Sequence, residues 1–190
     1  MIFFATKARV TNRGVPPNSF LTELVEWGIA ADEEIFAPND IPHDVYADVK
    51  PLLGPWTSAL QRRAAMLEVM RVHAGFESTW NFDEGVDTTN QTSLHNKEGE
   101  ETGIFQVSFD STNIANGAMK PFAVAHGIDT IDTFIPKMKA DHKLALEYYA
   151  RLIRVNIRWA GPLIRHEVDP WLSRDSMNEF QTLLGATSNG

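Results

Sequence analysis

Cysteine is absent from the 190 residues. That excludes a disulfide scaffold, a thiolate zinc site and a cysteine nucleophile together. Basic residues are outnumbered, 17 Lys and Arg against 25 Asp and Glu for a net charge of −8, and they form no cluster. A nucleic-acid partner needs a positive stripe that displaces counterions from phosphate, so that class is set aside. No run of about eighteen apolar residues exists to span a bilayer, and no membrane partner is expected. The opening Met1-Ile2-Phe3-Phe4 run stops before Lys7, too short for a signal-peptide core. The chain is therefore expected in the cytoplasm, or exported by a route without such a leader, or already shorn of one. Gly-rich phosphate loops and a Gly-x-Ser-x-Gly elbow are missing as well. The six histidines are scattered, and His166-Glu167 lacks the second His of a zincin helix, so no metal or cofactor is expected. The acids of Asp83-Glu84-Gly85-Val86-Asp87 do not follow EF-hand spacing, and His73 and His126 read as ordinary packed or surface residues.

What is present describes a folded protein. Hydrophobic residues make up 43% and charged residues 22%, the balance of a globular domain rather than a disordered chain. The length suits one domain with a core of its own. Residues 1–18 are polar, end in Val15-Pro16-Pro17-Asn18, and read as an arm over the surface; residues 19–190 read as a single domain. Ser19 is placed as the N-cap of a helix over 20–31, with Leu21, Leu24, Val25 and Gly28 on one face. A short helix is expected over Val45–Leu53, stopped by Gly54-Pro55. From Thr57 or Ser58 to Phe76, apolar residues fall on two adjoining helical faces, which makes this the central, mostly covered helix. Residues 81–97 turn polar and read as loop with short hairpin strands, and Gly103–Phe109 as a short strand or tight run. Helices follow over 131–138, 139–159 and 173–184, the middle one carrying Leu144, Tyr148, Leu152, Val155 and Trp159. The reading is predominantly helical α+β with a small β insertion after the central helix.

That helix ends at Glu77, flanked by Phe76 and near Trp80. A carboxyl there is poorly solvated, and desolvation raises its pKa towards the range a general acid needs. Position alone does not separate this from a carboxylate capping surface water.

A second signal follows. Glu77-Ser78, a polar stretch, and then Glu101-Thr102-Gly103-Ile104-Phe105-Gln106-Val107 resembles the lysozyme-like superfamily, in the style of soluble lytic transglycosylases and goose-type lysozymes. The likeness covers residues 57–112. It implies a lysozyme-like domain in which Glu77 is the catalytic acid, Ser78 a helper beside it, and Gln106 a substrate contact across a cleft. It also implies a β-1,4-linked amino-sugar polymer as substrate, peptidoglycan first, and so a muramidase that degrades cell wall. The chain departs from the pattern at Phe105, where methionine is usual, and has no later Tyr/Asn-Ala-Gly run; Tyr148 and Tyr149 lie on a helix, where core packing is at least as good a reading.

The outcome depends on a second carboxylate, since hydrolases place one across the sugar, whereas a lytic transglycosylase closes the ring on the substrate's own hydroxyl. Asp83, Glu84, Asp87, Glu98, Glu100, Glu101 and Asp110 are all available, and many read equally well as a solvated face. Glu101 ranks first, beside the sugar-facing segment; Asp87 second, at the start of the hairpin; Asp110 third, just past Gln106, where it also suits a substrate contact. The acidic charge keeps chitosan or chitin as an alternative polymer. A non-catalytic glycan-binding module is the alternative of a different class. A monomer is expected, with an immunity protein as partner if the chain is a toxin.

Overall fold

The structure, a computed structural model, describes residues 1–85 and 97–186 and is predominantly helical. In chain order the described residues form α1 (Asn18–Ala30), α2 (Val45–Leu53), α3 (Ala59–Ser78), α4 (Ile114–Gly117) and α5 (Lys120–Ala125). They continue with α6 (Ile131–Ala140), α7 (His142–Val155), α8 (Gly161–Ile164) and α9 (Arg174–Ala186). Among them, no helix is long and apolar enough to cross a membrane.

The axis is α3. Ser58 caps it by accepting from the Gln61 amide at 3.2 Å, which satisfies one of the N–H groups that every helix start leaves open. Every residue from Ala64 to Gly75 is buried, so this stretch has no solvent face. α1, α8 and α9 pack against it, and α7 packs on α1, α2 and α6. Gly28 lets α1 come close: a Cβ there would fall 2.9 Å from Leu67 Cδ2.

Two charges lie inside this packing. Glu68 and Arg71 are wholly buried and meet in two bonds, Arg71 Nε to Glu68 Oε2 at 2.7 Å and Nη2 to Oε1 at 2.8 Å. Such a pair offsets its desolvation only when its remaining donors and acceptors are also met. They are: Arg71 donates to the carbonyls of Ala8 (3.0 Å) and Trp171 (3.3 Å), and the Ser173 amide donates to Glu68 (2.8 Å). A second buried pair, Arg154 Nε to Asp44 Oδ1 at 2.9 Å, works on the other side, where Arg154 also donates to the carbonyls of Ile35 and Ala37.

Several expectations change here. Residues 1–18 do not lie over the surface as a separate arm: Phe3, Thr6, Val10 and Pro16 are buried. The amides of Phe4 and Thr6 donate to Glu179 of α9 (2.7 and 2.6 Å), and Ser176 Oγ donates to the Ala5 carbonyl (2.9 Å). The few buried residues are spaced irregularly among polar ones, so no periodicity announced them. The helix expected over 139–159 is shorter at both ends: Asp141 accepts from the Leu144 amide (3.0 Å) and starts α7 afresh, and Asn156, extended and accepting from the Arg158 amide (2.9 Å), ends it and leaves Trp159 beyond it and half exposed. α1 begins at Asn18 with Pro17 before it, so Ser19 is not its cap. Gly103–Gln106 is a tight turn and not a strand: it closes on paired bonds between Thr102 and Val107 (2.9 and 3.1 Å), Phe109 opens a short helix, and no strand is found among the described residues. Most of the expected hairpin, 86–96, lies outside them.

Arg71→Met strands a buried carboxylate, and urea denaturation is expected to show a loss of about 3–5 kcal/mol. Adding Glu68→Leu removes the uncompensated charge and should restore part of that loss. Equal stability of Arg71→Met and wild type would contradict this assignment.

Candidate active site

Chain geometry at the end of α3 sets the site. Thr79 (φ 57°) and Trp80 (φ 60°) both adopt left-handed backbone, which is strained for residues with a Cβ and turns the chain sharply back. The strain is held by Trp80, whose Nε1 donates to the Arg71 carbonyl at 2.8 Å and whose ring lies over Gly75. A Cβ on Gly75 would meet Trp80 Cζ2 at 2.7 Å, so only glycine admits this contact.

The 102–107 turn is tied to the same helix end. Ser78 is buried; its Oγ lies 2.8 Å from the Ile104 carbonyl and accepts from the Asn81 amide at 3.0 Å. It joins helix, loop and turn, a structural duty where a helper of the acid was expected. Gly103 (φ 70°) sits against the Met138 carbonyl, which a Cβ would approach to 3.2 Å. Its amide donates to the Glu84 carbonyl at 3.0 Å. Gln106 is half-buried, and its Nε2 donates to the Gly103 carbonyl at 2.9 Å, bracing its own turn. Asp110 lies farther on, half-buried in the first turn of the short helix Phe109–Asn113. Asp87 lies outside the described residues.

Glu77 lies where α3 regains water after its buried stretch, its side chain 23% exposed. Its pKa is pushed up to about 7, chiefly by burial and next by the negative charge of Glu101; Arg165 and Arg13 pull it down, and Glu167 pushes it up. At neutral pH a substantial share of Glu77 therefore keeps its proton. Glu101 is half-buried and close enough to be felt, so the structure brings these two acids into one electrostatic neighbourhood.

Beneath Glu77, one helical turn earlier, lies His73. Its Nε2 is 3.3 Å from Glu77 Oε1, and its Nδ1 is 2.7 Å from the Tyr149 hydroxyl. Burial, helped by the positive charge of Arg165, lowers its pKa to about 3, so the ring is neutral. The contact with Glu77 is therefore no ion pair near pH 7. Phe105 stacks on Tyr149 at 3.9 Å and 8°, and His73 lies 5.1 Å from Tyr149 at 9°, three nearly parallel rings.

No family model matches this chain. No curated protein and no solved structure matches it either. The site thus stands on its own geometry.

Sequence reasoning placed Glu77 and Glu101 in one site but passed over His73, Tyr149, Arg13, Arg165 and Glu167. One signal was readable: His73 and Glu77 are four residues apart on a helix, the spacing of facing neighbours. Arg165 and Glu167 pair with each other at 2.8 Å, and nothing local relates them to Glu77. Among the described residues, no group of three or more His, Asp or Glu is arranged to hold a metal.

Because the folded state raises the Glu77 pKa, its contribution to stability is fully present below the unfolded value and is lost as pH rises towards about 7. Glu77→Gln should therefore match wild type near pH 4 and exceed it near pH 8, by up to about 3 kcal/mol given its partial exposure. Urea denaturation at both pH values tests this; parallel profiles would refute the assignment.

Proposed function

We propose that this chain cleaves β-1,4 bonds in an amino-sugar polymer, peptidoglycan before chitin or chitosan, with Glu77 as the general acid. The observation that carries the reading is a carboxyl raised to about 7 by burial, at the C-terminal end of the central helix, beside the 102–107 turn. A general acid works best when its pKa lies near the working pH. The proposed fold is a lysozyme-like α+β domain.

The chemistry assigned to the site is short. Glu77 gives its proton to the glycosidic oxygen as the bond from C1 to that oxygen breaks. Glu101 accepts a proton from the water that adds to C1, leaving a new reducing end. The mutual influence of Glu77 and Glu101 favours this two-carboxylate hydrolysis over a transglycosylase route, in which the substrate's own C6 hydroxyl attacks C1 and leaves a 1,6-anhydro end. Gln106 and Asp110 remain the proposed substrate contacts on the turn side, and Asp87 the alternative second acid.

Incubation with peptidoglycan, chitin and chitosan, followed by mass spectrometry, tests the proposal. Wild type should release fragments with reducing ends from peptidoglycan, with activity falling as pH rises through about 7. Glu77→Gln should lose about 10²–10⁴-fold in kcat. Equal fragment release by wild type and Glu77→Gln from every polymer would overturn the enzyme reading. Binding without cleavage by both would leave a glycan-binding module.

A further inference from the structure

The assigned reaction gives no part to the imidazole beneath Glu77. His73 is 1% exposed, and its Nε2 makes no hydrogen bond among the described residues. A buried polar atom left open costs free energy unless something engages it in another state. The atom that can do so is Glu77 Oε1, 3.3 Å away on the next turn of the same helix. At 3.3 Å the pair is within hydrogen-bond reach, and a rotation of the Glu77 side chain would align it.

The tautomer follows from Tyr149. Its hydroxyl is fully buried, its pKa is held well above the ordinary tyrosine value by burial, and it therefore keeps its proton. The only hydrogen bond of that hydroxyl among the described residues is the one to His73 Nδ1 at 2.7 Å. If Nδ1 carried the hydrogen, the phenolic proton would be left without an acceptor. So the phenol donates to Nδ1, and Nε2 carries the ring hydrogen. The opposite tautomer would also set a bare Nε2 lone pair against an ionised Glu77. The near-parallel stack of His73, Tyr149 and Phe105 fixes the ring plane that aims Nε2.

We infer that His73 is a positioning residue for Glu77: its Nε2–H donates to Oε1, which keeps the transferable proton on Oε2 and steadies the carboxylate once that proton has left. The inference rests on Glu77 being the acid, but its physical core, the coupling of imidazole and carboxyl, is separately measurable. The charged groups that face Glu77 from other segments are Glu101, Glu167, Arg13 and Arg165, and each remains in place in the variants used.

The test is a carbon-13 NMR titration of the Glu77 carboxyl in full-length wild type, His73→Phe, His73→Gln and Tyr149→Phe, without substrate, alongside kcat and KM on the cleaved polymer. His73→Phe should raise the Glu77 midpoint by about one pH unit. It should also lower kcat about tenfold with KM nearly unchanged, because the donor acts only as charge develops. His73→Gln, whose side-chain N–H reaches a similar place, should stay near wild type. Tyr149→Phe should move the midpoint the same way by less. A folded His73→Phe with an unmoved midpoint overturns the inference, as does an equal shift in His73→Gln. Should His73→Phe fail to fold, an unmoved midpoint in Tyr149→Phe overturns it instead. A shifted midpoint with no polymer cleaved by wild type would sink the enzyme reading and leave the coupling standing.

Discussion

Glu68 and Arg71 meet inside a helix that has no solvent face over Ala64–Gly75, and the rest of the molecule is arranged to satisfy them. Charges taken out of water must find all their partners within the protein. Arg71 therefore draws in the carbonyls of Ala8 and Trp171, and Glu68 the amide of Ser173, which fixes both ends of the chain against its middle. The N-terminal turn is then locked again by Glu179 and Ser176 of α9. The backbone carbonyl of Arg71 also anchors Trp80, which holds the strained turn after α3. One residue thus links the packing of the termini to the position of Glu77.

The site occupies the boundary where that dry helix meets water. A carboxyl deeper along α3 would need a permanent cation, as Glu68 has in Arg71. One further out would be fully solvated and ionised at neutral pH. Glu77 lies between, burial outweighing the pull of Arg165 and Arg13, with Glu101 adding to the push. His73, neutral and stacked, supplies a polar floor without adding a positive charge that would strip the proton away.

The same reasoning explains where local pattern was sufficient. α2 and α3 were legible because their apolar spacing, caps and terminators agree: Ser58 caps α3, and Gly54 follows α2. The break at Asp141 was less visible, because the apolar spacing begins only at Leu144 and does not say where before it the helix starts, which the Asp141 side chain decides by capturing the Leu144 amide. In the Ile114–Gly117 segment, Asn116-Gly117 is a turn signal, but nothing in the sequence marks Ala115 for its positive φ.

By itself, the sequence determined a mostly helical chain and a central helix closing on Glu77, followed by a polar interval. Those are local matters of spacing and composition. Only the tertiary structure decided what surrounds that acid. His73 became its neighbour by helical spacing, but its neutrality comes from burial and the charge of Arg165, and its aim from Tyr149, both distant in sequence. Arg13 and Arg165 reach the site from segments with no local relation to it. Ser78 and Gln106, which the motif had marked for function, also brace the turn, a duty the motif did not announce. Burial and electrostatic fields depend on which segments pack together, and no local pattern carries that information.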